Sequence, residues 1–241
     1  MRVSRIYVES PLAPGQTIDL DRRAAHYVFQ VLRLRAGQSL TLFNGDGRDL
    51  AATLLHSDRR SCRVRVVSPV STEPTDGLQL TLGIGVSRGE RMDFAIQKAV
   101  ELGVSAITVL ATRRSVVQLD DNRLRKRLEH WRGIVISACE QSGRKRLPPI
   151  DFSTDLGNWL DRHRDGILLH HEAAGTLPEL PAPSGPINLL IGPEGGLDET
   201  ERQVAVDYGY RAVRLGPRVM RTETAPLAAL AAMQVLWGDF R

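Results

Sequence analysis

The 241-residue chain is 42% hydrophobic and 25% charged, an ordinary globular composition that excludes wholesale disorder and suits one large domain or two small ones. It has no apolar run long enough for a membrane span, no apolar leader at its start, and only two widely spaced cysteines, Cys62 and Cys139, so a cytoplasmic protein without disulfides or a zinc cluster is expected. Its net charge of +4 is uneven: residues 1–75 carry 11 basic and 7 acidic residues, 113–146 carry 10 and 4, and 147–241 carry 8 and 13, a division that suits a polyanion gripped by part of the molecule.

Up to about residue 70 the pattern is strand-like, with one helix predicted over 21–33 from the spacing of Ala24, Ala25, Val28, Val31 and Leu32. The strand 39–43 leads into Asn44-Gly45-Asp46-Gly47, residues that tolerate positive φ and close a hairpin. Two more strands are predicted over 50–55 and 62–67, and short strands with a single helix suggest a small β-barrel. Residues 68–77, with Pro69, Pro74 and Gly77, read as a linker.

From about residue 78 strands and helices alternate. A buried strand over 78–86 precedes a helix marked by Met92, Ala95, Ile96, Ala99 and Val100, with Gly103 as its C-terminal cap. A strand at 106–111 follows, then a long helix capped by Asn122 with Leu124, Leu128, Trp131, Val135 and Ala138 on its core face. Three apolar runs at 166–169, 187–191 and 212–215 read as further strands. Asp198 and Glu201 form a capping box for a helix ended by Gly209, and a last helix is expected from about Glu223 to Trp237. Strands interleaved with helices predict a mostly parallel, helix-covered α/β sheet.

In such sheets ligands bind beyond the carboxyl ends of the strands. Three loops stand there: His170-His171-Glu172, the glycine-rich Gly192-Pro193-Glu194-Gly195-Gly196, and Gly216-Pro217-Arg218-Val219-Met220-Arg221-Thr222-Glu223. The glycines let main chain approach a ligand and offer bare amides. No known phosphate-loop motif is present, and adjacent histidines on an extended segment point opposite ways, so no metal site is expected. Cys139 reads as a buried small residue rather than a nucleophile. Glu140, Gln141 and Arg144, beside a basic run at the end of the long helix, are candidates for contacting a nucleotide base or phosphate.

These residues resemble the SPOUT-superfamily methyltransferases, specifically the family that methylates N3 of a uridine in bacterial small-subunit ribosomal RNA. The resemblance rests on four ordered stretches, 91–104, Glu140-Gln141-Ser142-Gly143-Arg144, Leu190 to Gly196 and Leu215 to Ala225, and more loosely on 26–33. Asp93 and Arg113 depart from the family pattern, which has glutamate more often at both places.

The resemblance implies a small N-terminal PUA-like RNA-binding β-barrel over 1–72. It implies a C-terminal trefoil-knotted SPOUT methyltransferase domain of α/β class over 73–241, an exception to the rule against threaded chains. S-adenosylmethionine is implied as methyl donor, 16S rRNA, within the small ribosomal subunit, as substrate, and a homodimer as the working form. By motif, Leu169, His170, Gly192, Pro193, Glu194, Gly195, Gly196, Leu215, Gly216 and Met220 are expected to line the cofactor site. Arg221 and Glu223 are the expected catalytic pair, with Lys98 as a second cationic candidate. Arg22, Arg23, His26 and Arg33 join Glu140, Gln141 and Arg144 as candidate RNA contacts. A relative acting on another RNA position, or an RNA-binding assembly factor without catalysis, shares the same features.

Overall fold

The computed structural model describes residues 3–75, 77–115 and 121–240, apart from the side chain of Asp121. Asp76, inside the expected linker, lies outside the described residues. The chain divides into one unit of Met1–Thr75 with Ile136–Leu147 and a second of Asp76–Val135 with Pro148–Arg241. Among the described residues no helix is long and apolar enough to cross a membrane.

The first unit holds β1 (Arg5–Tyr7), β2 (Thr17–Asp19), α1 (Arg22–His26), β3 (Ser39–Phe43), β4 (Arg48–Ser57) and β5 (Cys62–Thr72). They form a five-stranded sheet of order β1-β3-β4-β5-β2, antiparallel except for the β1–β3 pair. Alternating residues such as Leu40 and Leu42, Leu50, Ala52 and Leu54, and Cys62, Val64 and Val66 form its core with Val28 from the helical segment. The asparagine–glycine turn closes the β3–β4 hairpin as expected, with φ of 87° and 97° at Gly45 and Gly47.

Two expectations need correcting. The helix over 21–33 is α-helical only to His26, capped by the Asp21 carboxylate on the Ala24 amide (2.7 Å), and continues as a π-helical turn over Tyr27–Val31. It stops at Arg33, whose φ of 51° is left-handed. The first part of the expected linker is strand: β5 runs through Thr72, and Pro69 pairs with Leu50 where the ladder shifts register, the place a proline is tolerated within a sheet.

The second unit is a seven-stranded sheet, parallel throughout. Its strands are β6 (Leu80–Gly85), β7 (Ala106–Leu110), β8 (Ile150–Ser153), β9 (Ile167–Leu169), β10 (Gly175–Thr176), β11 (Ile187–Ile191) and β12 (Arg211–Arg214), in spatial order β10-β12-β9-β11-β6-β7-β8. The helices are α2 (Glu90–Glu101), α4 (Leu156–Arg162), α5 (Glu199–Asp207), α6 (Thr224–Trp237) and the part of α3 (Asp121–Ser142) up to Val135, the rest of α3 belonging to the first unit. Asn122 is not the cap of α3, because the helix already includes Asp121. The expected buried face of α2 is buried, and Gly103 and Gly209 end α2 and α5 with φ of 87° and 88°.

Buried Gln234 on α6 ties that helix to the end of α2. Its Nε2 donates to the Leu102 carbonyl (3.0 Å) and its Oε1 accepts from the Asp239 amide (3.3 Å). Gln234→Leu strands both backbone groups and is expected to cost about 1–3 kcal/mol, read as a lower urea midpoint at unchanged slope.

Candidate functional site

The switch in strand order decides where a ligand can sit. The chain runs outward from β6 to β8, returns to β9, and then places β11 between β9 and β6, so the carboxyl ends of β9, β11 and β12 open side by side. There the loops after the three strands enclose a pocket of about 220 Å³. All ten residues expected from the motifs at a cofactor site line it: Leu169, His170, Gly192, Pro193, Glu194, Gly195, Gly196, Leu215, Gly216 and Met220.

The loops are held from outside. Gly192 has no room for a side chain, since a Cβ there would lie 2.7 Å from the Leu197 amide nitrogen. Arg114 donates to the Gly195 carbonyl (2.9 Å), and Arg202 to the Leu197 carbonyl (2.9 Å). Arg214 holds the turn after β9 through the carbonyls of Ala173 (2.5 Å) and Ala174 (2.7 Å). The capping box of α5 forms as predicted. Glu201, buried, uses one carboxylate oxygen for the Asp198 amide (2.9 Å) and the other for the Arg113 amide (2.8 Å). Arg202 and Arg214 also line the pocket. Sequence reading missed both because their partners are backbone carbonyls, which leave no side-chain pattern.

The wall is apolar where Leu168, Ile191, Leu197 and Leu215 face it, with glycine main chain between. Gly196 and Gly216 take φ of 67° and 83° and have open space where a Cβ would stand. Burial, and then the neighbouring Arg202, hold His170 below the ordinary histidine pKa, so its ring is neutral at pH 7.

Arg221 and Glu223 flank Thr222, which is buried and lines the pocket. Arg221 is exposed, while its main-chain carbonyl accepts from the amides of Thr224 (2.9 Å) and Ala225 (3.0 Å). Glu223 stands at the N-cap of α6, yet its side chain makes no capping bond, and its Oε2 is buried without a hydrogen-bond partner. Lys98 is not in the pocket wall. Its ammonium lies 2.8 and 2.9 Å from the Glu101 carboxylate oxygens on the same helix.

The expected RNA contacts all fall in the first unit. Arg22, Arg23 and His26 are exposed on α1, and Arg33 is exposed just beyond the π-helical turn. Glu140 has most of its carboxylate used internally, by Arg23 (3.1 Å) and by the Tyr7 amide (3.0 Å). Arg144 lies 3.9 Å from Glu73, whose Oε2 accepts from the amides of Lys145 (2.5 Å) and Arg146 (2.7 Å). Arg5 adds bonds to Asp49 (2.8 Å) and to the carbonyls of Cys139 (2.6 Å) and Arg144 (3.0 Å). Gln141 is exposed. This network fastens 136–147 within its unit.

Among the described residues no cluster of histidine, cysteine or carboxylate could hold a metal ion. Both cysteines are buried, and burial pushes the Cys139 thiol up to about 12. Neither thiol is expected to react with Ellman's reagent at about pH 8 until the chain is denatured, when both should. Rapid labelling of the native chain would contradict their placement.

Residues 74–234 match the family model for an RNA methyltransferase domain, and residues 20–67 that for an RNA methyltransferase PUA domain. The chain is 34% identical to the ribosomal RNA small subunit methyltransferase E of Buchnera aphidicola, over 99% of this chain and 98% of that one. Among solved structures it is similar to a methyltransferase of Legionella pneumophila in complex with the bound cofactor SAM, at 35% identity and a TM-score of 0.95. It is also similar to a ribosomal RNA small subunit methyltransferase E of Neisseria gonorrhoeae bound to S-adenosyl methionine, at 41% identity and a TM-score of 0.90. Each of these two comparisons covers 100% of both chains.

Proposed function

The chain belongs to the RNA methyltransferase family represented by ribosomal RNA small subunit methyltransferase E, and we propose that it methylates N3 of a uridine in 16S rRNA with S-adenosylmethionine as donor. The observation that carries this reading is the convergence of all ten motif residues on one pocket at the strand ends, lined also by Thr222, the residue between Arg221 and Glu223. The pocket suits the donor. Apolar walls from Leu168, Ile191 and Leu215 accept a flat heterocycle, and glycine main chain at 192, 195, 196 and 216 supplies close polar groups for its edge.

When bound, S-adenosylmethionine supplies a methyl group made electrophilic by its sulfonium. The protein's part is to make uracil N3 a nucleophile and to aim it. N3 carries an imide proton and attacks poorly until that proton is lost. Glu223 is the group we assign to accept the proton or to orient Arg221, in keeping with a carboxylate oxygen that is buried and bonded to nothing. Arg221 offsets the charge that then spreads to O2 and O4. The pocket loops fix donor and acceptor for in-line transfer. Lys98 remains a second cationic candidate, for which its pairing with Glu101 is an obstacle.

The same reading extends to the whole molecule. The five-stranded sheet would close as a PUA-like barrel over 1–72 that grips RNA through Arg22, Arg23, His26 and Arg33, with Glu140, Gln141 and Arg144 as further candidates. The remainder, 73–241, would be threaded as a trefoil knot around the donor. A homodimer acting on the small ribosomal subunit in the cytoplasm completes the proposal, and exposed Val235, Leu236 and Phe240 at the end of α6 support a partner surface there.

The test supplies methyl-labelled S-adenosylmethionine and small subunits lacking the modification, then identifies the labelled nucleoside by chromatography. Label in 3-methyluridine is the expected result. Label in another nucleoside overturns the target position. Absence of both transfer and calorimetric binding of the donor would leave an RNA-binding factor instead.

A further inference from the structure

The first unit contains a second cavity, of about 560 Å³. It lies where the π-helical turn, the segment after it and the end of β4 meet. Phe29, Gln30, Arg33, Arg35, His56 and Arg59 supply its chemistry, and no carboxylate lines it. Its size is that of a small-ligand site.

The three arginines differ from several others in the same unit. Arg5, Arg23, Arg48 and Arg63 each hold a carboxylate at 2.5–3.1 Å. Arg33, Arg35 and Arg59 have no ion-pair partner among the described residues and are exposed. Asp58, next to Arg59 in the chain, is engaged by the amides of Arg60 and Ser61 (2.7 Å each) and by His56 (3.0 Å), which hold its carboxyl down at about 2. The cavity therefore presents three arginines without ion-pair partners beside an aromatic ring.

The backbone is also shaped around this spot. The helix widens into a π turn over Tyr27–Val31, a distortion frequent at functional sites. Arg33 is one of only two non-glycine residues with positive φ among the described residues. Such a conformation in a bulky residue points to a role that holds it there. It projects Arg33 into the cavity wall with Phe29, four residues earlier in the chain.

We propose that this cavity binds one unpaired nucleotide of an RNA strand, with phosphates on Arg33, Arg35 and Arg59 and the base against Phe29. Guanidinium forks match phosphate oxygens, and an aromatic face accepts any base by stacking, so the pocket recognises single-stranded RNA with little regard to sequence. The inference rests on the reading of the chain as an RNA methyltransferase and adds where, in the first unit, the substrate is held.

The experiment measures binding of a short, fluorescently labelled single-stranded RNA by the full-length chain at several salt concentrations. The triple variant Arg33→Gln, Arg35→Gln, Arg59→Gln should bind at least about 10-fold more weakly near physiological salt. The slope of log affinity against log salt should fall by about 2, at about 0.7 for each lost contact with a single strand. Phe29→Leu should weaken binding about 5- to 100-fold and leave the slope unchanged. Arg63→Gln, which removes an arginine already paired to Asp19, should change neither. Calorimetric affinity for S-adenosylmethionine should be the same in every variant, and an unchanged circular dichroism spectrum and urea midpoint report that the first unit is folded. Wild-type affinity and slope in the triple variant overturn the site while the methyltransferase reading stands. Loss of slope with an unchanged Phe29→Leu affinity overturns base stacking. If the unaltered chain binds no RNA and methylates none, the functional reading falls and this site with it.

Discussion

Gly192→Ala is expected to weaken S-adenosylmethionine binding about 10- to 100-fold, the largest loss from any single methyl group in the pocket. The added Cβ would stand 2.7 Å from the Leu197 nitrogen, 2.8 Å from the Gly196 carbonyl carbon and 3.0 Å from the Gly196 Cα. All three are backbone atoms of the loop that lines the pocket, so no side chain can rotate away and the loop itself must move. Overpacking of this kind costs about 1–3 kcal/mol, and a donor held by backbone groups loses its contacts as the loop shifts. Gly85→Ala presses on the same loop, because its Cβ would meet the Pro193 nitrogen, and the same loss is expected. Gly195→Ala supplies the contrast: its Cβ would lie 3.2 Å from the Arg114 Cβ, a contact relieved by a shift of about a few tenths of an ångström in the exposed Arg114 segment, and a change of no more than about 3-fold is expected. Calorimetry on the three variants, with circular dichroism to confirm folding, makes the comparison. Equal affinity for Gly192→Ala and the unaltered chain would remove the loop from the donor site.

This ordering of glycines was not legible in the sequence, although the loop was. Glycines at 192, 195 and 196 after a run of buried aliphatic residues mark main chain that something approaches, which composition can convey. Gly192 abuts backbone because the loop folds back on itself at Gly196 and Leu197, and Gly195 abuts Arg114, a residue about 80 positions away. The strands were legible for a related reason: a strand buried on both faces is a short apolar run, as Ile187, Leu189, Leu190 and Ile191 show. Their spatial order was not, because parallel pairing leaves no local mark, and nothing in those residues says that β11 lies between β9 and β6.

Local chemistry went unread at two places where a signal existed. Helix α4 was not anticipated, yet Asp155 accepts from the Asn158 amide (3.1 Å) as a cap, and Leu156, Trp159 and Leu160 follow at helical spacing into the core. Proline at position 69 reads as part of a linker, whereas a register shift admits it to β5. The π turn after His26 had no readable cause, since its residues keep an ordinary helical apolar spacing. At Glu140 the residue was legible and its surroundings were not. A carboxylate beside Gln141 and Gly143 suits a base edge, but Arg23 and the Tyr7 amide, more than 110 positions earlier, already claim it.

Arg221 and Glu223 are expected to divide the chemistry between them, and two substitutions separate their parts. Arg221→Ala should lower kcat about 100- to 1,000-fold, the scale of losing one preorganised charge at a developing anion, and leave donor affinity within about twofold. The side chain is exposed, and what Arg221 gives the fold is its main-chain carbonyl, which accepts from Thr224 and Ala225 and survives the substitution. Glu223→Gln keeps size and shape. Because the carboxylate does not cap α6, the fold should lose little, whereas a true cap would cost about 1 kcal/mol. If Glu223 takes the N3 proton, the variant should lose about 100-fold or more in kcat at about pH 7, and the deficit should narrow toward about pH 9 as hydroxide removes the proton in its place. If Glu223 only orients Arg221, the deficit should be independent of pH, and Arg221→Ala combined with Glu223→Gln should be no slower than Arg221→Ala alone. Single-turnover rates on small subunits across that pH range decide between the two roles. Full turnover in both single variants would remove the pair from the mechanism and leave the buried, unbonded Oε2 of Glu223 to another cause.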